Sequence, residues 1–308
     1  MATLRWLLLF TSALLAGCAV DFPRPVTGVG MVNPESVDAD ADLSGDELFS
    51  LTFTAHGGAQ LAKLEDLNVA LDGRWKFLIT RIQPLVTDHR YRVQSEERIS
   101  PVQGVYAARY EGPAGTKQVF RGPGKIRVWY DGVETEDPDV LASTALTADS
   151  FQLFSLGPLS PIARGDSAAG GLSDEFGYIR LPDVEEAGRR YHRIYRRLVP
   201  GLGLSESDEL VLWIDAETHR TFRVDITLEG YRTTQGAHVD VTFLSFVERA
   251  GILLPVAFNE RVRGPIAISA HRWWLTGLDL NRGWQAEALN TAPWAAIAAH
   301  AAETLSID

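Results

Sequence analysis

The sequence has almost no cysteine, since Cys18 is the only one among 308 residues. A single cysteine excludes a disulfide within the chain and leaves no pair of thiolates for a metal or redox centre. The seven histidines do not compensate, because no two of them are spaced as His-x-His or His-x-x-x-His. The sequence therefore predicts neither a metal site nor a cofactor.

Positive charge is also in short supply. Lysine and arginine number 29 against 40 acidic residues, which gives a net charge of -11. Proteins that bind nucleic acid need a basic surface that displaces the counterions of the phosphates. The sequence therefore predicts no nucleic-acid partner.

Long apolar runs are scarce as well. The segment from Trp6 to Leu15 has about ten residues, roughly half of the ~20 that a membrane-spanning helix needs. It follows Arg5 and precedes Ala16 and Gly17, which is the three-part pattern of an export signal. Residues 1–17 are therefore predicted to be a signal peptide, and no second membrane segment is predicted.

The end of this segment, Leu15 to Cys18, reads LAGC and resembles the bacterial lipobox. The resemblance implies cleavage before Cys18 and attachment of acyl chains such as palmitate there, and several chains anchor a protein stably where one is marginal. Ala19 follows where an aspartate would retain the protein in the inner membrane, which favours the outer membrane and its periplasmic face. The alternative is an ordinary signal peptide that happens to carry a cysteine.

Residues 18–44 are rich in proline, glycine and aspartate and are predicted to be a flexible tether. Ser44 stands three residues before Glu47, as in a capping box, so a helix is expected over residues 45–66 with an interruption at Gly57 and Gly58. Residues 45–308 are expected to form a single domain.

Most of this domain consists of short alternating segments separated by turn residues, which predicts an antiparallel sheet. Eleven strands are expected: 67–72, 90–99, 103–111, 116–121, 125–131, 189–199, 208–215, 220–229, 237–247, 252–263 and 270–281. Residues 75–83 fit either a strand or a helix, 139–150 have helical spacing, 159–177 are expected to form a loop, and 286–302 a short helix. The class is therefore α+β, mainly antiparallel β.

Alternation within the C-terminal strands places apolar side chains on one face, which the few predicted helices must cover. These side chains line an apolar cavity or simply form the core. The residues expected to line a lipid cavity are Phe222, Val224, Ile226, Val241, Phe243, Val256, Phe258 and Trp274.

Three segments of this region, LWIDAETHRTFRVDIT, VDVTFLSFVERAGILLPVAFNERV and AHRWWLTGLDLNRGW, resemble the superfamily of the lipoprotein-sorting proteins LolA and LolB. The resemblance covers residues 208–281. It implies a curved, incomplete β-barrel covered by a few helices, enclosing a cavity for acyl chains. Such proteins bind lipid and do not transform it, so no catalytic residue is expected.

One predicted strand concentrates arginines. Alternation places Arg189, Arg193 and Arg197 on one face together with Tyr191 and Tyr195. Guanidinium groups bind phosphate in a bidentate manner, so this face is a candidate contact for a lipid head group or an acidic protein partner. The alternative is a solvated strand that charge protects from aggregation.

The function expected from the sequence is that of a lipoprotein of the outer membrane that binds or transfers a lipid or acylated molecule. One alternative is an interaction module with a filled core that serves an envelope complex. Another is a hydrolase that uses Ser167, in the sequence Gly165-Asp166-Ser167, and His56. It has little support, because Ser167 lies in a loop without the strand and helix that shape a nucleophile turn.

Overall fold

The computed structural model describes Asp38, residues 41–164 and residues 177–292. Cys18, Ser167 and most of the predicted C-terminal helix lie outside the described residues. The strands are β1 Leu67–Trp75, β2 Gln94–Ser100, β3 Val105–Gly112, β4 Gly115–Gly122, β5 Lys125–Tyr130, β6 Val133–Glu134, β7 Ile179–Glu186, β8 Arg189–Leu198, β9 Asp208–Asp215, β10 Thr221–Thr227, β11 His238–Arg249, β12 Ile252–Gly264 and β13 Ile268–Leu280. The helices are α1 Gly45–Ala55, α2 Phe77–Ile82, α3 Pro84–Thr87, α4 Pro138–Leu156, α5 Pro161–Arg164 and α6 Ala286–Leu289.

All thirteen strands belong to one sheet, in the order β6-β5-β4-β3-β2-β1-β13-β12-β11-β10-β9-β8-β7. Each strand is antiparallel to its neighbours, and β1 pairs with β13, so two meanders join in the middle of the sheet. The sheet is curved and open, with a few helices packed on one face. The predicted class and the incomplete-barrel architecture are confirmed.

Helix α1 begins and ends for identifiable local reasons. The Ser44 side chain accepts the Glu47 N–H while the Glu47 carboxylate accepts the Ser44 N–H, which completes the predicted capping box. The helix stops at Ala55, before the predicted end, because Gly57 takes a left-handed conformation with φ of 82° and a 3-10 turn follows over Gly58–Lys63.

The segment 75–83, which fits either a strand or a helix, divides between the end of β1 and helix α2. The helix predicted over 139–150 is present and continues to Leu156. Strand β7 was not predicted, and its sequence IRLPDVEE contains a proline, which is uncommon inside strands. It is an edge strand, and its Arg180 carbonyl accepts the N–H of Asp38 from the predicted tether.

The face that the helices cover, called the inner face below, carries a continuous row of rings across four strands. Its members, in spatial order, are Trp75, His271, Trp273, Phe258, Phe243 and Phe246. Successive ring centroids lie between 3.8 and 6.0 Å apart. The ring centroids of Phe151 and Phe154, both on α4, lie 5.3 and 6.1 Å from that of Trp273. Helix α4 therefore packs directly on the aromatic row.

Phe222 and Trp274 lie on the opposite, outer face, contrary to the prediction from alternation. Phe222 is an extra residue in the pairing of β10 with β9 and stacks on Tyr191 at 4.3 Å. Thr276 is likewise skipped in the pairing of β13 with β1. Each bulge shifts the period-two pattern by one residue, so Trp273 and not Trp274 reaches the inner face.

Prediction for the end of α1. A Cβ at position 57 would lie 2.0 Å from the Gly251 carbonyl oxygen, whereas one at Gly188, with a similar φ of 75°, would meet nothing within 4 Å. We expect Gly188→Ala to cost about 1–2 kcal/mol through left-handed strain alone. Gly57→Ala should cost more than about 3 kcal/mol, because two backbone segments must also separate. Urea unfolding of both variants measures the difference, and equal losses would contradict this reading.

Candidate ligand cavity

A cavity of about 50 Å³ lies between the inner face of the sheet and the helices α2, α3 and α4. Residues 77–87, which comprise α2, Gln83 and α3, form its roof and are called the lid below. The cavity is lined by Trp75, Ile79, Gln83, Val86, Thr87, Arg92, Leu146, Thr147, Ser150, Phe151, Phe154, Leu228, Thr234, Ala237, Val239, Glu260, Val262 and Ala270. Most of the lining is apolar, and its polar members come mainly from the lid and α4.

A second cavity of about 20 Å³ adjoins the first. Both are lined by Arg92, Trp75 and Phe151, so the Arg92 side chain stands where the two cavities meet. Both volumes are far below the roughly 300 Å³ at which drug-sized ligand pockets begin. In this conformation these two cavities have room for water or a small group and not for an acyl chain.

Arg92 is a buried cation inside a box of rings. Its guanidinium carbon lies 5.3, 5.1 and 4.8 Å from the centroids of Trp75, Tyr110 and Phe151. One Nη donates to the Val86 carbonyl of the lid at 2.9 Å, while Nε has no partner among the described residues. Cation–π contacts of this kind stabilise a charge that burial would otherwise disfavour.

Two ionisable groups beside this arginine have shifted pKa values. Burial raises the pKa of Glu260 to about 7, although Arg92 acts in the opposite direction. Burial also holds the pKa of His271 well below its ordinary value, with a smaller contribution from Arg92. His271 is therefore neutral at physiological pH, and Glu260 changes charge near pH 7.

The lid is held mainly by polar contacts. Gln83 donates to the Thr233 carbonyl and accepts from the Thr233 hydroxyl, both at 2.7 Å. Lys76, just before α2, donates its N–H to the Ala270 carbonyl at 2.9 Å. Helices of six and four residues are too short to be stable alone, so these contacts and the packing of Ile79 and its neighbours keep the lid in place.

The end of the lid has a stronger attachment. Asp88 accepts from the Lys117 ammonium and the Tyr130 hydroxyl, each at 2.8 Å. Lys117 is itself buried and also bonds to Thr144 of α4 at 3.1 Å. This buried ion pair fixes the point at which the lid returns to the sheet, so any movement of the lid is hinged there.

The residues predicted to line a cavity have a different position. Val224, Ile226, Val241, Phe243, Val256 and Phe258 are buried in the main core on the inner face. None of these six lines either cavity, and the two remaining residues, Phe222 and Trp274, lie on the outer face. The cavity instead sits nearer the ends of β11, β12 and β13 that carry Val239, Val262 and Ala270.

The arginines of β8 share the outer face, as alternation requires. Arg193 lies over the Trp213 ring at 5.5 Å and donates to the Pro182 carbonyl. Arg189 is largely exposed and lies 3.8 Å from Asp215, and Arg197 donates to the Ser207 hydroxyl. Intramolecular partners are therefore present for all three, and the Arg189 side chain is nevertheless 74% exposed.

His56 has a structural role. Its Nε2 accepts the N–H of Thr221, so Nδ1 carries the proton and donates to the Leu253 carbonyl, each over 3.1 Å. These bonds clasp the end of α1 to β10 and β12. Burial lowers the pKa of His56 to about 4, with a further lowering by Arg220 against the raising effect of the Leu253 carbonyl.

Sequence reasoning missed the polar residues of the cavity. A signal existed for Glu260, since it occupies an inner-face position between Phe258 and Val262 where alternation calls for an apolar side chain. Arg92 gave no comparable signal, because the sequence predicts a strand over residues 90–99 whereas β2 begins only at Gln94. Within the described residues no cluster of histidine, cysteine and acidic side chains is arranged to hold a metal ion, and no helix has the length and apolar character to span a membrane.

Prediction for His56. The unfolded chain takes up a proton on this residue near pH 6.5, whereas the folded protein does so near pH 4. Stability from His56 is therefore complete above pH 6.5 and is lost as the pH falls toward 4. Between pH 7.5 and pH 5 we expect wild type to lose about 2 kcal/mol more unfolding free energy than His56→Gln. Identical pH dependence in urea unfolding of the two proteins would contradict this.

Comparison with known proteins gives matches at the level of structure alone. No protein-family model and no curated protein matches the chain. A LolA superfamily protein from Nitrosomonas europaea matches with a TM-score of 0.45 at 10% identity, covering 78% of this chain and 94% of that one. A DUF1329 family protein from Desulfovibrio piger matches with a TM-score of 0.42 at 12% identity, covering 80% and 98%.

A third solved structure is described as an outer membrane lipoprotein-sorting protein domain, from Vibrio parahaemolyticus. Its TM-score is 0.39 at 10% identity, with coverage of 79% of this chain and 95% of that one. All three matches share 12% identity or less with this chain, and each TM-score is below 0.5.

Proposed function

We propose that this chain is a lipoprotein of the outer membrane, facing the periplasm, that binds a lipid or the acyl part of a lipidated molecule beneath the lid, without catalysis. The observation that carries the proposal is the cavity itself, which has an apolar floor on the inner face and a roof of two very short helices. The lipobox ending at Cys18 supports the anchoring, because it provides for acyl chains at the N-terminus.

The closed cavity requires that the ligand displace the lid. Four hydrogen bonds hold the lid ahead of Asp88: two to Gln83, one from Lys76 and one from Arg92. At about 1 kcal/mol each, opening costs about 4 kcal/mol plus some loss of apolar packing. Each buried CH₂ contributes about 0.8 kcal/mol, so about ten methylenes contribute about 8 kcal/mol before association costs. The gain grows with the number of buried methylenes while the cost of opening is fixed, so we expect long acyl chains to bind better than short ones.

The geometry around His56 supports a function without catalysis. Both ring nitrogens are occupied by backbone groups, so the residue is not available as a general base. The hydrolase alternative would therefore need a different base for Ser167.

Prediction for the cavity. The chain from Ala19 to Asp308 keeps every described residue and lacks Cys18, so it is suited to solution measurements. Ala237→Leu and Ala270→Leu each place a larger side chain into the cavity. We expect native mass spectrometry of the gently purified protein to show a bound lipid, lost by at least tenfold in the double variant. The two added side chains together exceed the closed cavity of about 50 Å³, so each change is expected to cost about 1–3 kcal/mol of stability, and circular dichroism must show that the double variant is folded.

The matched control is Val133→Leu, which enlarges an exposed side chain far from the cavity and should keep the lipid. A wild-type protein that carries no lipid and takes up none from added fatty acid or phospholipid would overturn the proposal. Equal lipid content in the filled variant would place the ligand elsewhere.

Prediction for the lid. Gln83→Ala removes both hydrogen bonds to Thr233. We expect backbone hydrogen exchange over residues 77–87 to accelerate by about tenfold and lipid uptake to become faster, because the closed state loses about 1–2 kcal/mol. Gln60→Ala, which removes a contact with Lys63 far from the lid, is the control and should change neither rate. Unchanged exchange at residues 77–87 would show that these bonds do not hold the lid.

The second candidate function is an interaction module of an envelope complex. The small volume of the cavity under the lid favours it, since about 50 Å³ leaves no room for an acyl chain in the closed conformation. Arg189, exposed on β8, is the position to test with a photo-crosslinking residue in cells. A protein adduct of defined mass that disappears on charge reversal at Arg193 and Arg197, together with a lipid-free core, would favour this function over lipid binding.

A further inference from the structure

The outward side of α2 is apolar and uncovered. Phe77 and Leu78 are 73% and 50% exposed, and in the part of the chain that the structure describes no other two consecutive large hydrophobic residues are both exposed. The next residue, Ile79, is buried and lines the cavity. Helix α2 therefore presents one side to the cavity and a bare apolar side to the surroundings.

Cations surround this apolar pair. Arg74, Lys76 and Arg81 are all exposed, and no acidic residue occurs between positions 73 and 83. The Arg81 guanidinium lies 5.1 Å from the Phe77 ring centroid. None of the three forms an ion pair with another described residue, although the chain as a whole has a net charge of -11. The local excess of positive charge therefore opposes the charge of the whole chain.

A fourth cation, Arg272, adds to the positive charge near α2. Arg74 is paired directly with Arg272 across the junction of β1 and β13. Like charges opposite each other on neighbouring strands destabilise a sheet unless an anion lies between them. The nearest acid along β1 is Asp72, and its Oδ1 already accepts the Gly73 N–H at 2.7 Å. The pair of arginines is therefore suited to an external anion.

These residues are grouped as the α2 patch, because five of them lie within positions 74–81 and Arg272 is paired with Arg74. Arg74 and Arg272 belong to the outer face, where the Arg74 guanidinium carbon lies 5.9 Å from the Trp274 ring centroid. Its members are Arg74, Lys76, Phe77, Leu78, Arg81 and Arg272. We propose that the α2 patch docks on an anionic phospholipid surface, with Phe77 and Leu78 entering the head-group region and the cations contacting phosphates.

The combination of charge and apolar side chains favours a lipid surface over a protein partner. Adjacent aromatic and aliphatic side chains flanked by lysine and arginine are typical of segments that lie in the membrane interface. Each cation near an anionic leaflet adds to binding, and the contribution falls with salt. The predicted tether of 27 residues, 18–44, has a reach of roughly 30 Å, which keeps an anchored domain near the bilayer.

Docking in this orientation places the lid against the membrane. This goes beyond the proposed function, because docking needs no internal ligand and can be measured without one. A protein that docks but carries no lipid would uphold the inference and overturn lipid binding. A protein that carries lipid but does not dock would do the reverse.

The test is flotation of the chain from Ala19 to Asp308 with two kinds of vesicle, pure phosphatidylcholine and an equimolar mixture with phosphatidylglycerol. We expect binding to the mixture, at least tenfold weaker at high salt, and little binding to pure phosphatidylcholine. Lys76→Glu with Arg81→Glu, and separately Phe77→Ser with Leu78→Ser, should each weaken binding to the mixture by at least tenfold. All four side chains are exposed, and circular dichroism checks that the variants are folded.

The controls make equal changes elsewhere. Val133→Ser with Leu204→Ser removes two exposed apolar side chains, and Lys63→Glu with Lys125→Glu reverses two exposed charges away from α2. Both should bind within twofold of wild type. The inference is overturned if wild type binds neither vesicle, if the α2 variants bind normally, or if the reversal at Lys63 and Lys125 weakens binding as much as the α2 reversal does.

The chain from Ala19 to Asp308 contains no cysteine, so one introduced thiol can carry a direct probe of docking. Leu78→Cys creates a single thiol for an environment-sensitive fluorophore, and Val133→Cys is the matched position. A blue shift on mixed vesicles is expected at position 78 and not at 133. Equal shifts at both positions, or none at 78, would overturn the docking orientation.

Discussion

The stacking of rings across the middle of the sheet is the constraint on which the other parts of the structure depend. The aromatic row runs from Trp75 on β1 to Phe246 on β11 and so joins the two meanders that meet where β1 pairs with β13. It supports α4 through Phe151 and Phe154, and His56 meets its far end at 5.6 Å from Phe246. The β1 end of the row adjoins the cavities, whereas Phe258, Phe243 and Phe246 line neither of them.

The packing on the inner face differs between the two ends of the aromatic row. Toward α1 the inner face is packed with aliphatic and aromatic side chains, and the polar groups of His56 are fully bonded. Toward the lid, packing gives way to a buried cation, Arg92, and a carboxylate, Glu260, that changes charge near neutral pH. Buried charges of this kind cost free energy and are uncommon where only stability is at stake. The lid end is therefore the part of the core that can exchange contacts with a ligand.

The lid contacts the cavity on one side and the surroundings of the protein on the other. Within a few residues, Ile79 faces the cavity while Phe77 and Leu78 face away from the protein. A membrane that attracts the outward side would lie next to the segment that must move for a ligand to enter. The two proposals rest on different observations, namely the cavity and the α2 patch, so either can fail without the other.

The sequence by itself determined the antiparallel class, the capping box of α1 and most strand positions, because these depend on local pattern and on alternation with period two. The export signal and the lipobox stay predictions from the same kind of local pattern. Alternation placed six of the eight predicted cavity residues on the inner face, although none of the six lines either cavity. It could not place Phe222 or Trp274, since a bulge shifts the pattern without a mark in the composition. Only the tertiary structure decided that the cavity lies under residues 77–87 and that Arg92 and Glu260 border it. These residues are far apart in the chain and meet because β1 closes against β13, a pairing that no local pattern specifies.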